Sequence, residues 1–180
     1  MHEKLVNCHE KANNIGKIFQ NNWFKKTIGP IVIGIMGSGQ VGMGAKDMLE
    51  KFGCHQISPD EIHKELDDTK SYYTIMSREH YLKWNDGAKF DEADFKENPH
   101  KYENIFVHDY LQHMHLFINA IAWSLDYPHL ISKEQIKEIS SNPKCKLLAI
   151  SDLTCWIGGP IEFLDKHTES ESPFRYYDPL

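Results

Sequence analysis

The run Ile31-Val32-Ile33-Gly34-Ile35-Met36 is apolar and rich in β-branched residues, and Gly37-Ser38-Gly39-Gln40-Val41-Gly42 follows it without a gap. A short continuous apolar run of this kind suits a strand buried on both faces. Beyond the glycines, Val41, Ala45, Met48, Leu49 and Phe52 recur at spacings of three and four, which predicts a helix over Val41 to Phe52 stopped by Gly53. Strand, glycine turn and helix in direct succession open a parallel α/β sheet.

The rest of the chain continues the alternation. Cys54 to Ile57 reads as a second strand, and Ser58-Pro59-Asp60-Glu61 as the capping box of a second helix. Tyr72 to Met76 has the aromatic and β-branched content of a third strand, and Trp84 to His100 reads as a long surface excursion. Tyr102 to Leu111 suits a helix, whereas periodicity leaves His115 to Trp123 open between a strand and the continuation of that helix. Ser132-Lys133-Glu134-Gln135 opens a helix to Ile139, and Lys146 to Ser151 makes the next strand. Ahead of all this, Glu3 to Asn22 has partial helical spacing, with Gly44 and Ala45 later providing small residues for close helix–strand packing. The expected fold is an α/β, Rossmann-like open sheet, mostly parallel, with helices on both faces. A helical segment occupies residues 1–27 and the nucleotide-binding domain residues 28–180.

Composition excludes several functions. Lysine and arginine total 20 against 26 acidic residues, giving a net charge of −6, and the lysines are scattered, so a nucleic-acid partner is not expected. The longest apolar run is far below the ~20 residues that span a bilayer, so no membrane is expected either. Four widely spaced cysteines fit a reducing compartment, and the first ten residues show no targeting segment. Of the eleven histidines, His108, His113 and His115 are the densest group, but their spacing does not put two imidazoles on one helix face. No metal site is expected.

Chemistry therefore centres on the glycine turn. Its first glycine allows the tight turn, its second lets backbone N–H groups approach a pyrophosphate, and the helix N-terminus adds partial positive charge. Gly37, Ser38, Gly39, Gln40 and Val41 are the candidate pyrophosphate-binding residues. Where a dinucleotide-binding sheet often carries an acid for the ribose, the second strand ends in Ser58, which permits NADP and leaves NAD open. Arg78, just past the third strand, is a candidate adenosine or phosphate contact. The same motif also holds the adenosyl group of a methyl donor, so a methyltransferase remains a rival. A second dense segment, Ser151 to Phe163, should lie at the carboxyl edge of the sheet, with Asp152 and Trp156 facing either the ligand or the core.

The residues also carry a family resemblance from about Ile28 onward. Ile28-Gly29-Pro30, the glycine turn with Gly44-Ala45, Pro59 with Glu61, and Ser77-Arg78 with His80 are followed by Asn98 to Tyr102, Ile118 to Ile121 with Trp123, and Pro128 to Ser132. Asp152-Leu153-Thr154, Gly158-Gly159 with Ile161-Glu162-Phe163, and Ser172-Pro173-Phe174 with Tyr177-Asp178 complete the series. In this order the blocks resemble the lysine-ketoglutarate reductase half of the alpha-aminoadipic semialdehyde synthase family, in the alanine dehydrogenase and transhydrogenase-like group. The resemblance implies an NADP-binding domain of a mitochondrial enzyme that reductively condenses lysine with 2-oxoglutarate into saccharopine. It also implies a strand around Asn119, and a nicotinamide side formed by Asn119, Ile121 and Asp152. Two departures accompany it: Trp156 stands where the family usually has an aspartate, and the substrate-binding domain that supplies the acid–base groups is expected to be missing. The chain is thus expected to be incomplete for catalysis alone. A non-catalytic nucleotide-binding or interaction module is the alternative, and a homo-oligomer is left open.

Overall fold

The computed structural model describes residues 10–15, 17, 29–84, 87 and 89–180. The expected helix over Glu3 to Asn22 falls mostly outside them; residues 10–15 are helical, with Ala12 buried.

Five strands form one parallel sheet: β1 (Ile31–Met36), β2 (His55–Gln56), β3 (Ser71–Met76), β6 (Leu116–Asn119) and β7 (Ala149–Asp152). Their spatial order is β2-β3-β1-β6-β7. The usual dinucleotide-binding order, 3-2-1-4-5, keeps the second strand of the chain next to the first. Here β3 takes that place and β2 is the outer strand.

Helix α1 (Gln40–Lys51) leaves β1 through the glycine turn and packs on one face, where Ala45, Leu49 and Phe52 meet Ile33, Ile35 and Tyr73. It ends as the sequence predicts: Gly53 takes φ +78°, its N–H donates to the Glu50 carbonyl, and the Cys54 N–H donates to that of Leu49. The other face carries the larger core. Val32, Met36, Met76 and Phe117 are covered there by Phe106, Leu111, Met114, Leu130, Ile136 and Ile139. Gly34, in the middle of the central strand, makes room for Met114: a Cβ at that glycine would lie 2.1 Å from the methionine sulfur.

Several expected elements differ in extent. The capping box at Ser58 is present, with the Ser58 N–H and hydroxyl both donating to Glu61, but it opens only a 3₁₀ turn, Pro59–His63. Trp84 to His100 is more than a surface excursion. After α2 (Arg78–Tyr81), β4 (Leu82–Trp84) pairs antiparallel with β5 (Tyr102–Asn104), and α3 (Glu92–Glu97) between them buries Phe95 against Phe90, Tyr102 and Tyr127. Asp91 caps α3 by accepting the N–H groups of Ala93 and Asp94.

The helix expected from Tyr102 starts later because Asn104 redirects the chain. Its Oδ1 accepts the Phe106 N–H, while its Nδ2 donates to the His129 and Leu130 carbonyls. Only α4 (Phe106–Asp109) and a 3₁₀ turn (Leu111–His113) remain helical. The open segment resolves as the strand β6, and α5 (Lys133–Ser140) begins at the Ser132 capping box.

Candidate functional site

The carboxyl edge of the sheet gathers the end of β3, the glycine turn after β1, the segment after β6 and the loop after β7. Gly37 has φ +109°, and a Cβ there would stand 2.6 Å from the Ala120 carbonyl oxygen, so only glycine fits between β1 and β6. Its N–H donates to the Met76 carbonyl at 2.9 Å. Gly42 is buried, with its would-be Cβ 2.0 Å from the Gly37 carbonyl; it lets helix and turn touch. Of the two small residues expected to allow close packing, Ala45 packs against the sheet, whereas Gly44 faces open space and Gly42 makes the close approach.

Gly39 is the N-cap of α1, in extended conformation, with no side-chain cap and no acidic residue in the first turn. Nothing lies within 4 Å of its would-be Cβ. The first-turn amides of a twelve-residue helix thus open onto solvent with their partial positive charge unopposed, which is the electrostatic arrangement an oxyanion selects. Ser38, Gln40 and Val41 surround this opening and are exposed. The turn fits the pyrophosphate of a dinucleotide.

Across the turn, Asn119 is fully buried at the end of β6, in register with Asp152 on β7. Its Nδ2 donates to Asp152 Oδ1 at 2.8 Å and to Thr154 Oγ1 at 2.9 Å, and the Thr154 hydroxyl and N–H both turn to the same Asp152 oxygen. Two acceptors, Asn119 Oδ1 and Asp152 Oδ2, are buried with no hydrogen-bond partner. Buried polar atoms of this kind cost free energy unless something donates to them. Ile121 flanks Gly37, 3.4 Å from its would-be Cβ. The structure therefore brings together Gly37, Asn119, Ile121 and Asp152. Thr154, which locks the pair, carried no sequence signal beyond its place in the Asp-Leu-Thr block.

The adenosine candidates are placed differently. Ser58 follows the outer strand β2, and Glu61 takes up both its N–H and its hydroxyl. These bonds, the backbone one first, hold the Glu61 carboxyl below its ordinary value. Arg78 is ion-paired with Glu92, donates to the Ala122 carbonyl at 3.4 Å, and lies over the rings of Phe95 and Tyr127, 5.5 and 5.1 Å from their centres. Sequence reading missed Glu92 and both rings because all three arrive from the excursion and a distant loop.

After β7, Cys155 adopts φ +51°, unusual for a non-glycine residue, and the chain presents Trp156 to solvent. The Trp156 ring meets Trp123 edge-on at 5.4 Å, and Trp123 stacks on His129 at 5.7 Å. An aromatic wall thus stands at this edge.

Among the described residues, no three His, Cys, Asp or Glu side chains form a group able to hold a metal. His108 pairs with Glu138, His113 meets His63 edge-on at 5.0 Å, and the His115 Nδ1 accepts the Val32 N–H at 3.1 Å. Burial, then Lys146, lowers the His115 pKa from 6.5; burial, then His63 and Lys146, lowers that of His113 against the opposing pull of Asp109. A depressed folded-state value means the unfolded chain binds protons first. Stability is therefore expected to be full above about pH 6.5 and to fall as pH drops through it. Urea midpoints that stay constant between about pH 7.5 and about pH 5.5 would contradict this.

No family model matches the chain. Curated relatives do. The chain is 29% identical over 170 residues to the mitochondrial alpha-aminoadipic semialdehyde synthase of Bos taurus and 28% over 169 residues to that of Mus musculus, in each case over 85% of this chain. It is 24% identical over 194 residues, 99% of this chain, to the alpha-aminoadipic semialdehyde synthase of Arabidopsis thaliana. The chain is homologous to one segment of alpha-aminoadipic semialdehyde synthase. The match covers 18% of the length of each synthase. The synthases of cow and mouse carry a mitochondrial designation in their names, and the plant synthase does not. Among the described residues, no helix is long and apolar enough to cross a membrane.

Proposed function

We propose that this chain binds NADP as the dinucleotide-binding domain of a saccharopine-forming lysine–2-oxoglutarate reductase of lysine degradation, located in mitochondria like its animal relatives. The observation that carries this reading is the glycine cradle: Gly37 and Gly42 are sterically obligatory, whereas Gly39 is open and faces outward. A fold that needed glycine only for packing has no use for the third. In this reading Gly37, Ser38, Gly39, Gln40 and Val41 hold the pyrophosphate on backbone N–H groups. Asn119, Ile121 and Asp152 shape the nicotinamide side, where the bonds from Asn119 to Asp152 and Thr154 fix the ends of β6 and β7. When bound, such a cofactor supplies the reducing equivalents for an imine of lysine and 2-oxoglutarate. The chain's own residues bind and orient it, while the lysine pocket and acid–base groups belong to a separate substrate domain.

The alternative, a nucleotide-binding or interaction module without turnover, is favoured by one observation. The loop after β7 presents the Trp156 indole, packed on Trp123, where the resemblance implies a carboxylate. The first reading requires dinucleotide binding and a pure interaction module does not, so titration with NADPH, NADH and S-adenosylmethionine is the first test. Saturable heat with a dinucleotide is expected, and binding of S-adenosylmethionine alone would replace both readings with a methyltransferase.

Gly39→Val sharpens the test. At φ −75° and with open space around it, valine is expected to leave the fold intact. Its side chain then projects into the phosphate opening and weakens dinucleotide binding at least ~tenfold, about 1.4 kcal/mol. Unchanged affinity by calorimetry, with an unchanged circular dichroism spectrum, removes the cradle from the argument.

A further inference from the structure

We propose that the perpendicular tryptophan pair Trp123–Trp156 is a binding corner for an alkylated ammonium group, carried by a small molecule or by a methylated lysine side chain. The site stands whether or not the chain binds a dinucleotide. The two indoles meet at 90° with their centres 5.4 Å apart, so beside their contact two ring faces enclose a right angle. An indole face carries the negative lobe of the ring quadrupole, and a cation within about 6 Å of a ring centre is attracted to it, most strongly for tryptophan. In such a corner one cation meets two faces. Trp156 leaves 43% of its surface to solvent, so a ligand reaches the pair without displacing anything.

Both rings are held in place by the chain around them. Trp123 Nε1–H donates to the Pro128 carbonyl at 3.0 Å, and the ring stacks at 12° on His129, whose Nδ1 lies 2.7 Å from the Gly159 carbonyl oxygen. The turn that bears Trp156 closes on itself. The Gly159 N–H donates to the Trp156 carbonyl at 2.9 Å, and a Cβ on Gly159 would stand 2.8 Å from Trp156 Cβ, so the turn is as tight as glycine allows. Cys155 at φ +51° and Gly158 at φ +66° complete it. Rings fixed in this way before a ligand arrives lose little freedom when it binds.

Ring faces select among cations. A carboxylate attracts a primary ammonium best, because that group donates three hydrogen bonds to it. An indole face takes up no such bonds, so a methylated ammonium, which is less strongly hydrated and touches the ring through its methyl groups, is the better ligand. The surroundings suit a positive charge. Asp126 is exposed on the segment that follows Trp123, and Arg78, a cation at the same edge, is ion-paired with Glu92. The chain's net charge of −6 draws cations toward it.

The test follows the indole N–H resonances of the full chain, without nucleotide, as choline, lysine, Nε-trimethyllysine or a short peptide bearing trimethyllysine is added. The neutral carbon isostere of choline, which has its shape and no charge, is the control. Choline and trimethyllysine are expected to shift the Trp123 and Trp156 resonances and to bind at least ~threefold tighter than the isostere and than lysine. Trp156→Leu is expected to abolish that preference, Trp156→Phe to keep part of it, and Trp156→Asp to reverse the order in favour of lysine. Tighter binding of the peptide than of free trimethyllysine assigns the site to a protein side chain, and binding no tighter assigns it to a small molecule; either upholds the corner. Equal affinity for choline and its isostere overturns the proposal, as does a preference that survives Trp156→Leu, or indole resonances that none of the cations moves. Should Trp156→Leu lose the fold, the isostere comparison on the unmodified chain decides by itself.

Discussion

Mixed with NADPH, lysine and 2-oxoglutarate, these 180 residues are expected to bind NADPH and yet to form saccharopine no faster than the uncatalysed mixture. Reduction of an imine needs a proton donor placed at nitrogen and a pocket that holds the imine carbon against the nicotinamide. General acid–base groups contribute typically ~10²- to 10⁴-fold, and correct positioning adds more. At the carboxyl edge, Asn119 and Thr154 both donate to Asp152 Oδ1, Asp152 Oδ2 is buried, and the adjoining wall is the Trp123–Trp156 pair. None of these groups is poised to hand over a proton. Trp156→Asp is expected to restore no turnover, because it supplies a carboxylate without a substrate pocket. NADPH consumption that depends on both lysine and 2-oxoglutarate, by purified chain free of partners, is the result that would sink this expectation.

The second large effect concerns stability. Phe106 is fully buried on the side of the sheet opposite α1, with its ring 4.7 Å from that of Phe117 and 6.2 Å from that of Tyr81. It joins the β4–β5 region to the main sheet. Phe106→Ala is expected to cost about 3–5 kcal/mol, the range for removing a buried aromatic that leaves a cavity its neighbours only partly close. The check is the urea denaturation midpoint at constant slope. A loss below about 1 kcal/mol would mean that Tyr81 and Phe117 collapse into the space.

Much of the central sheet was legible because its signals are local. The β-branched run set β1 to the residue, and helical spacing with Gly53 located α1 to within one residue at each end. The Ser132 capping box marked the start of α5. What the sequence did not disclose depends on partners far along the chain. Strand order is one such property: β3 lies beside β1, with Met76 in the core that also holds Met114 and Phe106, and no residue of β2 announces that it will be outermost. The β4–β5 pair is another, since three-residue strands carry no periodicity. At the site, the glycine turn was readable from its spacing, whereas the Asn119–Asp152–Thr154 bonds and the seat of Arg78 arise only when β6, β7 and α3 converge.

The place of β2 bears on how the chain folds and how it opens. The strand is two residues long, and its sheet bonds run only to β3. It therefore has no template until β3 has docked on β1, which pairs Ile31 with Ser71 across forty positions, and β1 must also capture β6 from still further along the chain. Long loops closed before any contact rewards them make folding slow, so β2 should be the last strand to join. In the folded protein the same strand can detach without disturbing the β1–β3 pair. Amides of residues 55–57 would then exchange with solvent by local fraying, while those of β1 exchange only when the whole sheet opens.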